Sequence, residues 1–324
     1  MNFVYASRYP NPFTIWDARW YLGIAENGYH STPILGGTDE IARLDIAFFP
    51  AWPSVIRLST VGFLPDGITS VVLANLLFIL AAVLLWRLLA DRLDPPTATR
   101  TIALLAFSPA AYVFSLAYSE SLFLLIAVMF FLAPASSLWR GPLAALAMLT
   151  RVTGAAIVFT AAVQVLRSSG SVRRAACLAV IGGILGFTTW WIAVAFVMKD
   201  PLGFLSRLGS WPSDPVLETI TNELRHPSVQ GIAWLSFPVV MLVGAVLVLR
   251  RDRELGIYAI ATLALPLITG GVILNSAPRY ALLAFPAFAG FASRLGRRGM
   301  SALLVSFVIA QCLFVRWVIA GYAP

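Results

Sequence analysis

Apolar runs at 54–64, 68–90, 101–116, 122–133, 143–166, 175–198, 229–249, 256–274, 280–293 and 300–322 alternate with short polar intervals. A helix that crosses a bilayer needs about 20 residues, or about 17 when it stands steeply. Several of these runs are therefore too short for a simple span. The pattern predicts an all-α polytopic membrane protein, a bundle of about ten helical segments, some short or re-entrant. The run after Pro53 carries Arg57 at its centre. A guanidinium at mid-bilayer is expensive, so 48–64 is read as an interfacial or re-entrant helix. Residues 1–15 hold neither the apolar core of a signal peptide nor a helix long enough to span.

The loop charges settle how the runs are threaded. Arginines cluster at Arg87/Arg92/Arg100, Arg167/Arg173/Arg174, Arg250/Arg251/Arg253 and Arg294/Arg297/Arg298, while Arg140 stands alone. Cytoplasmic loops hold the excess of arginine. If 143–166 were one span, Arg140 and the Arg167 cluster would fall on opposite faces. If instead it is two short helices broken at TRVTG (150–154), every cluster lies on the cytoplasmic side. The same break gathers YSES (118–121), TRVTG, SAPRY (276–280) and the opening segment on the outer face. Irregular backbone at such depth is tolerated only where it lines a cavity. The expected organisation is a single membrane domain over 1–324. Residues 1–53 form an extracytoplasmic catalytic segment, and 199–228 a second extracytoplasmic loop. That loop has an amphipathic helix near 215–225, started by Asp214 and Pro215.

Composition agrees with the threading. Hydrophobic residues make up 59% of the 324 and charged residues 12%, against about 25% charged in soluble domains. Mean hydropathy is +0.84. The formal net charge of +8 comes from loop arginines; no basic stripe marks a soluble element, which argues against nucleic acid as a partner. Cys177 and Cys312 lie far apart inside apolar runs and read as small buried residues. With only His30 and His226 available, no metal or cofactor is expected.

The stretch Trp16–Pro53 carries Asp17, Glu26, Asp39, Glu40 and Asp45, five of the fifteen acidic residues. Trp16, Trp20, Tyr21, Tyr29, Phe48, Phe49 and Trp52 are interleaved with them. Such aromatics serve either as an interfacial belt or as faces for sugar rings. Asp17 reads either as a helix N-cap or as a carboxylate at the mouth of an apolar cavity, able to take a proton from a hydroxyl. Glu120 in YSES is either a loop-tip glutamate or an intramembrane functional group. Arg151 and Arg279 lie on the face where the charge rule does not want them, so each needs a partner. Either they bind phosphate in bidentate fashion or they pair internally with Glu120 or Asp17. Tyr280, beside Arg279, is an anchor or a helper.

Taken in order, WDARWYLGIAENGY, AFFPAWP, FSPAAYVFSLAYSESLF, LTRVTG and SAPRYALLAFP resemble the PIG-V type family, the second mannosyltransferase of GPI-anchor assembly and its bacterial relatives. The likeness runs from about residue 16 to 286, and five motifs in order make it specific. It implies the GT-C superfamily fold with a catalytic first extracytoplasmic loop. It also implies an inverting hexosyl transfer from a polyprenyl-phosphate sugar, mannose in characterised relatives, to a lipid-linked or glycolipid acceptor in the bacterial plasma membrane. The catalytic role then falls on Asp17, with Asp45 standing where the family commonly has a glutamate before FFP. Arg279, Arg151 and Tyr280 take the donor phosphate; Glu120, Trp16 and Tyr29 support. The family has a transmembrane helix before the WD motif, and this chain shows none there, which suggests a truncated or misassigned start. A lipid-linked-sugar flippase, or an inactive partner subunit, are the rival readings.

Overall fold

The computed structural model describes residues 12–31, 34–35, 42–43, 45–60, 67–199, 216–269 and 277–319. Fourteen α-helices run through them: α1 (Asp17–Asn27), α2 (Ala51–Ser59), α3 (Gly67–Arg92), α4 (Pro95–Ala106), α5 (Glu120–Leu132), α6 (Arg140–Thr150) and α7 (Gly154–Arg167). They continue with α8 (Gly170–Met198), α9 (Val216–Arg225), α10 (Val229–Leu249), α11 (Arg253–Thr269), α12 (Ala277–Leu283), α13 (Pro286–Ala292) and α14 (Arg297–Ile319). A two-residue hairpin, β1 (Ile34–Leu35) and β2 (Ala42–Arg43), pairs Ile34 with Arg43. The helix count exceeds the expected ten because the runs 143–166 and 280–293 each split in two, and because α1 and α9 lie outside the apolar runs. Pro286, which has no N–H, opens α13 just after α12.

Among the described residues, α3, α8 and α14 are long and apolar enough to cross a membrane, and the protein is an integral membrane protein. Their lipid-facing sides show directly. On α3, Ile68, Val72, Leu76, Ile79 and Val83 are exposed, while Ala74, Ala81 and Leu88 at seven-residue spacing face the bundle. That spacing keeps one stripe inward over successive pairs of turns. The short α5 is different. From Glu120 to Phe131 all but one of its residues are buried, and it packs against α3 and α6. At α6–α8 the backbones touch: a Cβ on Gly182 would press into the Gly141 carbonyl, and one on Gly186 would lie 2.5 Å from the Ala145 carbonyl oxygen.

The break anticipated at TRVTG is present. Helix α6 ends at Thr150, Arg151 takes extended backbone (φ −161°, ψ 156°), and α7 begins at Gly154. Its consequence for the charges is visible. Arg140 does not stand alone: it is fully buried and donates to Glu254 (2.7 Å), Gln164 (3.0 Å) and the Ala133 carbonyl. Arg92 reaches the same Glu254 (2.9 Å), Asp252 (3.1 Å) and the Phe131 carbonyl. This lock sits at the C-terminal end of α5, opposite Glu120. A thirteen-residue helix separates the two polar ends by about 19 Å.

The segment around Arg57 is a nine-residue helix, too short to cross a bilayer. Arg57 is exposed and donates to the Ala25 and Glu26 carbonyls at the end of α1. A helix does occupy Val216–Arg225; its proposed starters Asp214 and Pro215, like most of residues 1–15, lie outside the described residues.

Candidate active site

Four charged side chains drawn from distant parts of the sequence meet at the N-terminal end of α5. Glu120 is the first residue of α5 and Asp17 the first of α1. Each carboxylate thus sits where unsatisfied backbone N–H groups favour negative charge. The N-cap alternative for Asp17 does not hold: Trp16 occupies that position, with φ 52° and ψ −122°. A positive φ is costly for a bulky residue and persists only where packing imposes it. It turns the chain so that Asp17 faces Arg279.

Arg279, on the wholly buried α12, ties the cluster together. Its Nη1 donates to Asp17 Oδ2 at 2.7 Å, and its Nε and Nη2 both donate to Glu120 Oε1, the former at 2.8 Å. Arg151, swung out by the extended break between α6 and α7, forms an ion pair with the same Glu120 oxygen at 3.0 Å and donates to Ser119 Oγ at 2.9 Å. Two carboxylates against two guanidiniums leave no net charge, which is what burial at this depth demands. The aromatic rings complete the cage: Arg279 lies 4.5 Å above the Tyr118 ring and Arg151 5.6 Å from that of Tyr280. The internal pairing weighed for these arginines is present.

The four members are not equivalent. Glu120 is fully buried, whereas Asp17 is 30% exposed. Asp17 is therefore the solvent-reachable carboxylate of the two, and Glu120 the one that pairs with both arginines. Arg151 Nε, Glu120 Oε2 and Thr153 Oγ1 are buried without a hydrogen-bond partner among the described residues.

Asp45 is not brought into this cluster. It is fully buried in a 3-10 turn and accepts from His30: the backbone N–H at 3.1 and 3.3 Å, and ring Nδ1 at 2.9 Å. Burial raises its pKa, and the His30 contacts oppose that. Tyr29 donates to the Phe48 carbonyl at 2.8 Å; burial, and then the nearby Asp45, push its hydroxyl far above the usual tyrosine range.

Sequence reasoning missed His30 as Asp45's partner, and it missed Ser119 and Tyr21. The hydroxyls of Ser119 and Tyr21 meet at 2.8 Å, carrying the cluster into α1. Tyr21 stands one helical turn after Asp17, a spacing that puts both on one face; that was the available signal.

The helical membrane fold has a counterpart among solved structures. It is similar to the crystal structure of ArnT from Cupriavidus metallidurans in the apo state, with a TM-score of 0.57 and 17% identity, over 94% of this chain. The chain spans 59% of that one's length. The chain belongs to the mannosyltransferase (PIG-V) family, whose model matches residues 3–178. Among the curated proteins, none matches.

Proposed function

We propose that this protein transfers a mannosyl residue, with inversion, from a polyprenyl-phosphate donor to a lipid-linked or glycolipid acceptor on the extracytoplasmic side of the membrane. The observation that carries the reading is the Arg279 bridge, which fixes a partly exposed Asp17 against a fully buried Glu120. Sidedness rests on the arginine-rich lock lying at the other end of α5, as cytoplasmic loops require.

In the proposed reaction an acceptor hydroxyl attacks the anomeric carbon as the carbon–oxygen bond to phosphate breaks. Asp17 takes the hydroxyl proton, and polyprenyl phosphate leaves with the bonding pair. The sugar passes through an oxocarbenium-like state, as in glycoside hydrolysis. A β-linked donor then gives an α-linked product. Asp17 Oδ2 is committed to Arg279, so Oδ1 is the proton acceptor. A guanidinium has five N–H donors, and Arg151 keeps Nε unbonded; we assign the leaving phosphate to Arg151 beside Tyr280, with the remaining donors of Arg279. Asp45 and Tyr29 stand in the adjoining His30 group, and Trp16 supplies the turn into Asp17.

Purified protein, radiolabelled polyprenyl-phosphate mannose and a panel of lipid acceptors test the reading. Transfer by the wild type that falls by about 10²–10⁴-fold in Asp17→Asn is expected for a positioned base. Transfer that survives in a folded Asp17→Asn protein removes the base assignment. Leaflet exchange of the donor without transfer would make the protein a carrier, and neither activity would make it a partner subunit.

A further inference from the structure

Beside the four-charge cluster lies a second group that the reaction above does not use. We infer that Tyr29, His30, Asp45, Phe49 and Trp190 form a subsite for a pyranose ring. The inference rests on the proposed sugar transfer and names where one of its sugars is held.

The aromatic part stands apart from the main core. Trp190, Ile46 and Val194 form their own buried group, with Tyr29 and Phe49 half-buried against it. The Tyr29 ring lies 4.8 Å and the Phe49 ring 5.9 Å from Trp190, both tilted. A lipid tail would be satisfied by such rings alone. The polar atoms among them call for a ligand that carries hydroxyls. Trp190 is 1% exposed, and its indole N–H finds no acceptor among the described residues. A buried tryptophan ordinarily finds one. Beside it, a carboxylate with no exposed surface accepts from the backbone and ring of His30, whose side chain keeps 22% exposure. The Nδ1 contact fixes the ring's orientation and tautomer. Asp45 is thus a positioning residue that acts through His30.

Apolar ring faces beside an imidazole and an indole donor match a sugar, which is apolar on its C–H faces and polar at its rim. The subsite is continuous with the candidate active site. Phe48 stacks on Trp20 and edges onto Tyr21, and Tyr21 reaches Arg151 through Ser119. The sugar is either the donor's or the acceptor's, and the two are separable by kinetics.

The test uses full-length protein in nanodiscs, with polyprenyl-phosphate mannose as donor and methyl α-D-mannopyranoside as stand-in acceptor, each varied against the other. Trp190→Phe keeps the ring and removes the N–H; His30→Gln keeps a polar side chain without the imidazole. Loss of one neutral hydrogen bond predicts a KM raised about three- to ten-fold with kcat little changed. A rise in the donor KM assigns the donor sugar, and a rise in the other assigns the acceptor. Both KM values unchanged in both variants would overturn the subsite. If the wild type transfers nothing, the proposed function fails instead. Saturation-transfer NMR with methyl α-D-mannopyranoside then decides the subsite alone: signal lost in Trp190→Phe or His30→Gln supports it, and equal signal in both variants rejects it. Should Trp190→Phe fail to fold, His30→Gln carries the same outcomes.

Discussion

Replacing Glu120 by glutamine removes one charge and almost no volume, and it strands two buried guanidiniums. The amide oxygen can still accept from Arg279 Nε and Nη2, but the negative charge that both guanidiniums face is gone: Arg279 keeps Asp17 as its only carboxylate in the cluster, and Arg151 keeps only the Ser119 hydroxyl. Breaking a buried pair by deleting one partner costs about 3–5 kcal/mol. In a chain of this size that corresponds to a fall in melting temperature on the order of 10 °C. Charge balance also predicts the remedy. Glu120→Gln with Arg151→Met leaves one carboxylate and one guanidinium, Asp17 and Arg279, at 2.7 Å. The double variant should recover at least half of the lost stability, because the unpaired charge is the main cost and not the missing hydrogen bonds. Thermal unfolding of purified protein in nanodiscs, read by tryptophan fluorescence at fixed scan rate, is the assay. A double variant no more stable than Glu120→Gln would show that the cluster is not held by charge balance, and the assignment of Glu120 as counter-ion would fall.

Other perturbations have equally definite outcomes. Gly182→Val at the α6–α8 crossing drives a side chain into the Gly141 carbonyl; it should cost about 1–3 kcal/mol or more by overpacking, seen as a lower melting temperature. Asp94 caps α4 by accepting from the Thr97 N–H at 2.7 Å and the Thr97 hydroxyl at 2.9 Å, so Asp94→Ala should cost about 1 kcal/mol. The Thr97 N–H holds the Asp94 carboxyl below its usual range. The unfolded chain therefore binds this proton more readily, and the contribution is complete above the ordinary carboxylate pKa and fades as pH falls through the folded value. The stability gap between wild type and Asp94→Ala should shrink between about pH 6 and about pH 3; a constant gap would contradict the cap. The loss of turnover in Asp17→Asn, set out above, tests the base directly.

Much of this was legible in the sequence because it follows from charge. An arginine at membrane depth needs a partner, and the charge rule required a break in 143–166. Those two constraints led to Glu120, Asp17, Arg151 and Arg279 and to the turn at Thr150–Gly154. What could not be read was which partner each group would choose. His30 and Asp45 are fifteen residues apart across a hairpin, and no periodicity links them. Arg140 looked isolated because Glu254 is 114 residues away. Helix number was underestimated because hydropathy registers apolar runs, and neither the short interruption at Pro286 nor the amphipathic helices Asp17–Asn27 and Val216–Arg225 is one.

The shortness of α5 has a consequence for side reactions. About 19 Å of helix joins the lock to the four-charge cluster, while the hydrocarbon layer is about 30 Å thick. On the proposed reading, with the lock at one interface, Asp17 would lie some 10 Å beneath the opposite one. Bulk solvent is scarce at that level, so an activated glycosyl centre meets an alcohol before it meets water. Release of free sugar should be far slower than its delivery to an acceptor; comparable rates would mean that the cleft floods.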